Sequence, residues 1–413
     1  MDNTWRRVVV TGLGAVTPLG LNVKDTWEAM VNCECGIAPI TLFDTSNVKG
    51  KVAAEVKGFN PRDYMEKAEV LRSDRFTQFA VAAADQAVKD AGVLGAYEPE
   101  RIATYFGSGI GGMTTFEAET KKMMTRGPSR VSPFFVPMMI ANMAAGQIAI
   151  RFNFQGAALP AVTACASGSN AIGEAVRLIR HGYADAVLTG GTEAPITELG
   201  VAGFANMQAL SLSTDPMAAS LPFDKRRAGF VMGEGAAALM LEEYEHAKAR
   251  GAHIYAEVAG YGSTCDAYHI TAIRTDAKGG TGAMVQAVTE AGYKPGEKVY
   301  VNAHGTGTPL NDVCETMAIK NTFGEAAYTD VLTSSTKSMT GHMLGAAGAI
   351  EALACIKVLE TGIVPPTIHL EELDEQCDLD YVPNTPRKAV IDLCVSNSFG
   401  FGGHNASLAF RKA

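Results

Sequence analysis

After His342 the chain runs Gly345, Ala346, Ala347, Gly348 and Ala349, a helical stretch with almost no side chain. Neighbouring backbones can approach such a helix closely on every side, so it belongs between the layers of a fold and not on its surface. The same arrangement recurs. Val331 to Ser334 leads through His342 into a helix ending near Gly362, while Ala161-Val162-Thr163 leads through Cys165 into a helix, Asn170 to Arg180, ending near Gly182. Gly229-Phe230 with Gly233-Glu234-Gly235 precedes the strand-like Ala236 to Leu241, and Gly400-Phe401-Gly402-Gly403 precedes Ser407 to Phe410. Two similar units sharing one core are expected. Short β-branched runs at Val8 to Val10, Ile102 to Phe106, Ala186 to Thr189 and Val299 to Asn302 alternate with helical stretches, which is the rhythm of α/β layers.

The 413 residues can bury a large core, and 47% hydrophobic against 19% charged residues, with 43 glycines, excludes a disordered chain. Lys plus Arg (35) minus Asp plus Glu (44) gives −9, and the longest basic run is Lys225-Arg226-Arg227, so nucleic acid is not an expected partner. Eight cysteines are scattered with no Cys-x-x-Cys pair, which argues against a disulfide framework and for a reducing, cytoplasmic setting. Val8-Val9-Val10 is too short for a signal peptide's apolar region. Phe134 to Ile150, the most apolar segment, is broken by Pro137, Asn142 and Gln147 and falls short of the roughly 20 residues of a membrane span, so no membrane insertion is expected.

Cys165 lies in Thr-Ala-Cys-Ala-Ser-Gly-Ser between a strand and a helix, the setting of a nucleophile elbow. A helix N-terminus favours the thiolate, so a lowered thiol pKa is expected there. Cys355 and Cys394 read as small buried hydrophobes. His304 and His342 each follow a strand-like run at corresponding places, where α/β sites form; His181, His246, His253 and His369 read as structural. Cys165, His304, His342 and Asp312 are zinc-type ligands, but no local pair anchors a metal, and none is expected. Gly107-Ser-Gly-Ile-Gly-Gly112 satisfies Gly-x-Gly-x-x-Gly, yet Thr125 to Met138 holds no acidic residue for a ribose, so it reads as a tight turn approaching a ligand. Glu315 and Lys337 are expected to form a charged pair near the site.

Cys165 in Thr-Ala-Cys-Ala-Ser-Gly, His304 in Asn-Ala-His-Gly-Thr-Gly-Thr-Pro, Lys337 and His342 in Lys-Ser-Met-Thr-Gly-His, and Asn397-Ser-Phe-Gly-Phe-Gly-Gly403 together resemble the β-ketoacyl-acyl carrier protein synthases, most closely their elongating type II members. Val-Val-Thr-Gly-Leu-Gly-Ala-Val-Thr-Pro-Leu-Gly at the start, Ser132-Pro-Phe-Phe-Val-Pro137 and Pro222-Phe-Asp224 extend the resemblance across essentially the whole chain. It implies a thiolase-like fold of two similar halves in α-β-α-β-α layers, 1–255 carrying the nucleophile and 256–413 both histidines, and a homodimer that extends acyl chains by decarboxylative Claisen condensation. Cys165 would take the acyl chain from the phosphopantetheine of an acyl carrier protein, with no other cofactor. His304 and His342 would hold the malonyl thioester carbonyl. The N–H groups of Cys165 and Phe401 would form the oxyanion hole, and Lys337 with Glu315 would order the site electrostatically. Ile110, Phe204, Phe399 and Phe401 are expected in the acyl pocket and gate, Thr306 and Thr308 at the substrate, and Phe134 to Ile150 against the second subunit or, alternatively, as a buried core helix. His404 stands where the family usually has Thr, and Gln208 where a basic carrier contact is common; Lys67, Arg72, Lys121, Lys122, Arg126 and Arg130 are the remaining basic candidates. A polyketide-type ketosynthase and a Cys-His thioester hydrolase are the alternatives. The hydrolase leaves the second histidine and Lys337 without a role.

Overall fold

In the computed structural model, which describes residues 5–413, ten strands carry the architecture. They are β1 (Val8–Val16), β2 (Ile102–Gly107), β3 (Ala158–Ala161), β4 (Ala186–Glu193), β5 (Gly235–Glu243), β6 (Ala256–Cys265), β7 (Val299–Asn302), β8 (Val331–Ser334), β9 (Leu393–Gly400) and β10 (His404–Arg411). In the first five, β1 is antiparallel to β5, β5 antiparallel to β4, and β4 and β3 both parallel to β2. The second five repeat this: β6 is antiparallel to β10, β10 antiparallel to β9, and β9 and β8 both parallel to β7. The two sets meet where Val9 and Val10 face Glu257 and Ala256.

The relevant helices are α1 (Arg75–Ala91), α2 (Phe135–Met139), α3 (Met143–Phe152), α4 (Ser167–Arg180), α5 (Lys278–Glu290), α6 (Pro309–Phe323) and α7 (Ala347–Thr361). α1 packs on β1, β5 and β4, and α5 packs in the same way on β6, β10 and β9. The two contacts share one device. A Cβ on Gly12 or Gly14 would strike the carbonyls of Ala87 and Ala83, and a Cβ on Gly260 or Gly262 those of Ala287 and Ala283. Bare strand backbone therefore lies against bare helix backbone. Gln86 accepts from Ala15 N–H and Gln286 from Ser263 N–H, both at 3.1 Å.

α4 and α7 lie between the two sets of strands, touching each other and both sets, which gives the expected α-β-α-β-α order. A Cβ on Gly348 would come within 2.2 Å of Ser169 Oγ, and one on Gly168 within 2.8 Å of the Gly345 carbonyl. The small residues of α7 are what permit this crossing. The 134–150 segment is not one helix, and only α3 reaches the core, through Ala144, Ala145 and Ile148. It divides into α2 and α3 because Ile140 is extended (φ −72°, ψ 137°), and Val136 and Ile150 are 55% and 79% exposed. Among the described residues no helix is long and apolar enough to cross a membrane.

Candidate active site

β3 ends at Ala161, and the chain turns at Ala164 (φ 51°) into a short 3-10 turn, Ala164–Ala166, that feeds directly into α4. α4 consequently starts at Ser167, three residues before the expected Asn170. Ser167 Oγ fixes the turn, accepting from Thr163 N–H at 2.9 Å and donating to the Ala164 carbonyl at 2.7 Å. The backbone N–H groups of Cys165 and Phe401 lie close enough to the Cys165 sulphur to favour its ionised form. The thiol's acidity departs from expectation. Burial pushes its pKa up to about 12, outweighing the opposing influence of Lys337 and the two N–H groups, while the Glu193 charge raises it further. A helix N-terminus lowers a thiol pKa where water still reaches it; here desolvation dominates.

His304 follows β7, and the carboxylate of Glu315 on α6 fixes its loop, accepting from the N–H of His304 (2.8 Å) and Gly305 (2.7 Å) and from Asn397 Nδ2 (3.1 Å). Burial raises the Glu315 carboxyl to about 7. His342 N–H donates to the Val231 carbonyl at 2.7 Å. The two imidazoles are 5.2 Å apart between centroids and nearly perpendicular. Burial first, then the nearby Lys337 charge, holds both pKa values well below that of an ordinary histidine, so both rings are neutral at pH 7. Each Nδ1 is buried without a partner, leaving Nε2 as the nitrogen presented to the cavity.

Lys337 does not pair with Glu315. Its ammonium makes a fully buried ion pair with Glu351 of α7, because Glu315 is already occupied by the His304 loop. Glu351 was missed by sequence reasoning, although a lone carboxylate in the apolar run Ala347–Ile356 was its signal. Phe230 was missed as well; it stands edge-on to His342 at 5.1 Å.

Cys165, His304, His342, Phe204, Thr306, Thr308, Phe399 and Phe401 all line one cavity of about 260 Å³, with Gln208 also on its wall. Thr306 and Thr308 hydroxyls lie 3.0 Å apart, and the Phe204 ring is 6.3 Å from that of Phe401. Ile110 is not on this wall. Its N–H is tied to Glu193 at 3.1 Å, and its side chain is 36% exposed on the single chain. The Gly107–Gly112 turn thus wraps around a carboxylate of the protein itself, since Ser108 Oγ and Gly109 N–H also donate to Glu193. His404 pairs across the strands with Cys265, beside Gly402 of the Phe401 loop. None of the six basic candidates lines the cavity; Lys122 pairs with Glu119 and the Arg72 guanidinium covers the Phe134 ring at 4.8 Å. Among the described residues no cluster of three or more His, Cys, Asp or Glu side chains is arranged to hold a metal.

The family described as "Beta-ketoacyl synthase, N-terminal domain" matches residues 5–247, and "Beta-ketoacyl synthase, C-terminal domain" matches residues 255–371. A 3-oxoacyl-[acyl-carrier-protein] synthase 2 of Synechocystis is 52% identical over 409 residues, 98% of each chain. One of Staphylococcus aureus is 52% identical over 408 residues, again 98% of each. Among solved structures, a β-ketoacyl synthase from Burkholderia phymatum superposes with TM-score 0.91 at 35% identity over 99% of this chain and 100% of the other. A type II PKS ketosynthase, in complex with its acyl-carrier protein and bound to the hexaketide, gives 0.91 at 34% with the same coverage.

Proposed function

The chain belongs to the β-ketoacyl synthase family, and from that premise we propose how its residues carry out the decarboxylative condensation of an acyl chain with malonyl-acyl carrier protein in fatty acid elongation. The reading is carried by one observation: buried Cys165 shares a cavity with buried His304 and His342, both held neutral.

In the first half-reaction Cys165 sulphur attacks the carrier's thioester carbonyl, the carrier thiol leaves with a proton, and the acyl chain stays on Cys165. Because burial keeps the resting thiol protonated, its proton must leave as the bond forms. Lys337 and the N–H groups of Cys165 and Phe401 favour that charge separation. In the second half-reaction the neutral imidazoles of His304 and His342 donate from Nε2–H to the malonyl thioester oxygen. Carbon dioxide departs with the enolate held there, and the carbanion attacks the acyl carbonyl while the oxyanion sits between the Cys165 and Phe401 N–H groups. Cationic imidazoles would bind the malonyl carboxylate and hold it back; burial, reinforced by the Lys337 charge, prevents this by keeping them neutral. The Phe204, Phe399 and Phe401 rings exclude water that would otherwise quench the carbanion.

We read the chain as two halves, 1–255 with the nucleophile and 256–413 with both histidines, working in the cytoplasm without a separate cofactor. We also infer a homodimer: β3 is a sheet edge with Leu159 51% exposed, and Val136, Ile140 and Ile110 add exposed apolar surface. The carrier protein would enter at the Gln208 side of the cavity. The test is peptide mass spectrometry after incubation with an acyl-acyl carrier protein, followed by malonyl-acyl carrier protein. An acyl mass on Cys165 that disappears as a two-carbon-longer β-keto product forms is the expected result. Acyl-Cys165 that is only hydrolysed would favour the Cys-His hydrolase instead.

A further inference from the structure

Each half has an elbow. Ala164 (φ 51°) and Leu344 (φ 46°) open matching 3-10 turns, Ala164–Ala166 and Leu344–Ala346, which feed α4 and α7. Gly345 therefore stands where Cys165 stands. Its N–H, the counterpart of the N–H at Cys165, does not face a cavity but donates to Glu193 Oε2 at 2.9 Å. The same carboxylate accepts from Gly109 N–H (2.8 Å), Ile110 N–H (3.1 Å) and Ser108 Oγ (2.8 Å). Glu193 is fully buried at the end of β4, and among the described residues no Lys or Arg side chain bonds it. A carboxylate ringed by three peptide N–H groups and a hydroxyl is bound as an oxyanion is bound in an oxyanion hole.

Two further contacts show what this plug holds together. A Cβ on Gly109 would lie 3.2 Å from the Ala164 carbonyl and one on Gly107 2.4 Å from Ser167, so the turn that grips Glu193 is pressed against the Cys165 elbow. Gly345 comes three residues after His342. The carboxylate thus joins the segment bearing one reacting histidine to the turn supporting the nucleophile.

We propose that Glu193 is a positioning residue of this site: its carboxylate fills the second half's counterpart of the oxyanion hole and so sets the His342 segment in register with the Cys165 elbow. This rests on the condensation reading above. The charge has a second consequence, because Glu193 opposes and Lys337 favours ionisation of the Cys165 thiol.

The test is Glu193→Gln, with acylation of Cys165, malonyl decarboxylation and the pH dependence of Cys165 alkylation by iodoacetamide measured separately. The amide offers one acceptor oxygen and, in either orientation, turns its NH₂ on at least one peptide N–H, that of Ile110 beside Ser108 Oγ or those of Gly109 and Gly345, so decarboxylation is expected to fall on the order of 100-fold, as for reacting groups displaced by about 1 Å. Loss of a like charge moves the alkylation midpoint to lower pH. Glu193→Asp keeps the charge while withdrawing the carboxylate by one methylene, so the midpoint should stay while decarboxylation falls. A wild-type midpoint and decarboxylation rate in Glu193→Gln overturn the proposal, as does a loss shared equally by both half-reactions with the midpoint unmoved. Should Glu193→Gln not fold, Ser108→Ala removes one donor to Glu193 together with the acceptor of the Gly111 N–H; a severalfold lower decarboxylation rate supports the proposal and an unchanged one overturns it. Wild-type protein measured alongside keeps the two readings apart. Failure of wild type to decarboxylate malonyl-acyl carrier protein would sink the condensation reading, while the alkylation midpoints would still decide whether the Glu193 charge acts on Cys165.

Discussion

The elbows at Cys165 and Gly345 share a topology, a turn type and a following helix, and they differ in what fills the space beside the backbone N–H. At Cys165 the donors face a side-chain sulphur and a cavity. At Gly345 a Cβ would lie 2.5 Å from Gly109 N and 2.6 Å from Glu193 Oε2, so no side chain fits. The two elbows are matching cradles; one holds the carboxylate of Glu193, and in the proposed mechanism the other takes the reacting group. What makes one elbow reactive is therefore vacancy and partners, not backbone geometry, which both elbows have.

The largest effect comes from removing the one group that distinguishes the reactive elbow. Cys165→Ala should abolish both the acyl adduct and the β-keto product while the melting temperature stays near wild type, because the change removes one atom from a 7% exposed site without adding bulk. Condensation at the wild-type rate by this variant would end the mechanism. Next is Lys337, which gives that elbow its positive field. Lys337→Ala leaves Glu351 buried without a partner and should cost ~3–5 kcal/mol of stability. Lys337→Met with Glu351→Leu removes both charges, so thermal unfolding should recover while turnover stays low. Recovery of both would mean that the ammonium is structural only.

Much of this was legible in the sequence, for reasons of periodicity and position. Cys165, His304 and His342 announced themselves because each comes between a β-branched run and the start of a helix, and strand ends are where such folds gather their chemistry. The duplication was legible from glycine and alanine placement. What escaped depends on distance in space. Lys337 has two acidic residues within reach along the chain, Glu315 and Glu351, and spacing alone does not reveal that Glu315 is already committed to the His304 loop. The thiol's raised pKa depends on burial by elements scattered along the whole chain. Ile110 has the residue type of a pocket wall, yet it faces outward from the turn that grips Glu193.

A smaller effect tests the crossing of α4 and α7 that brings the elbows together. Gly348→Ala places a methyl 2.2 Å from Ser169 Oγ, 2.8 Å from Ser169 N and 2.9 Å from Ser398 Oγ, so it meets backbone as well as two buried hydroxyls bonded to each other. A loss of ~1–3 kcal/mol in denaturant unfolding is expected. Gly203→Ala, in the helix Glu198–Asn206 with nothing within 4 Å of its added Cβ, should instead stabilise by about 1 kcal/mol. Equal effects at the two glycines would mean that the crossing is looser than its geometry implies.

The smallest effect separates the two histidines. The His342 backbone is held by the Val231 carbonyl, which does not titrate, whereas the His304 backbone is held by Glu315, raised by burial from 4.5 to about 7. The ionised carboxylate accepts from His304, Gly305 and Asn397; protonation turns one oxygen into a donor facing donors. Decarboxylation should therefore rise severalfold as pH climbs through about 7 and the carboxylate forms. In Glu315→Gln this limb should vanish, with the rate at high pH falling to the wild type's low-pH level. Stability runs the other way. Between 4.5 and about 7 the folded state keeps a proton that the unfolded chain has released, so wild-type stability falls as pH rises across that window, and Glu315→Gln should flatten the slope. A limb that survives in Glu315→Gln would move the titration from the His304 loop to another group in the cavity.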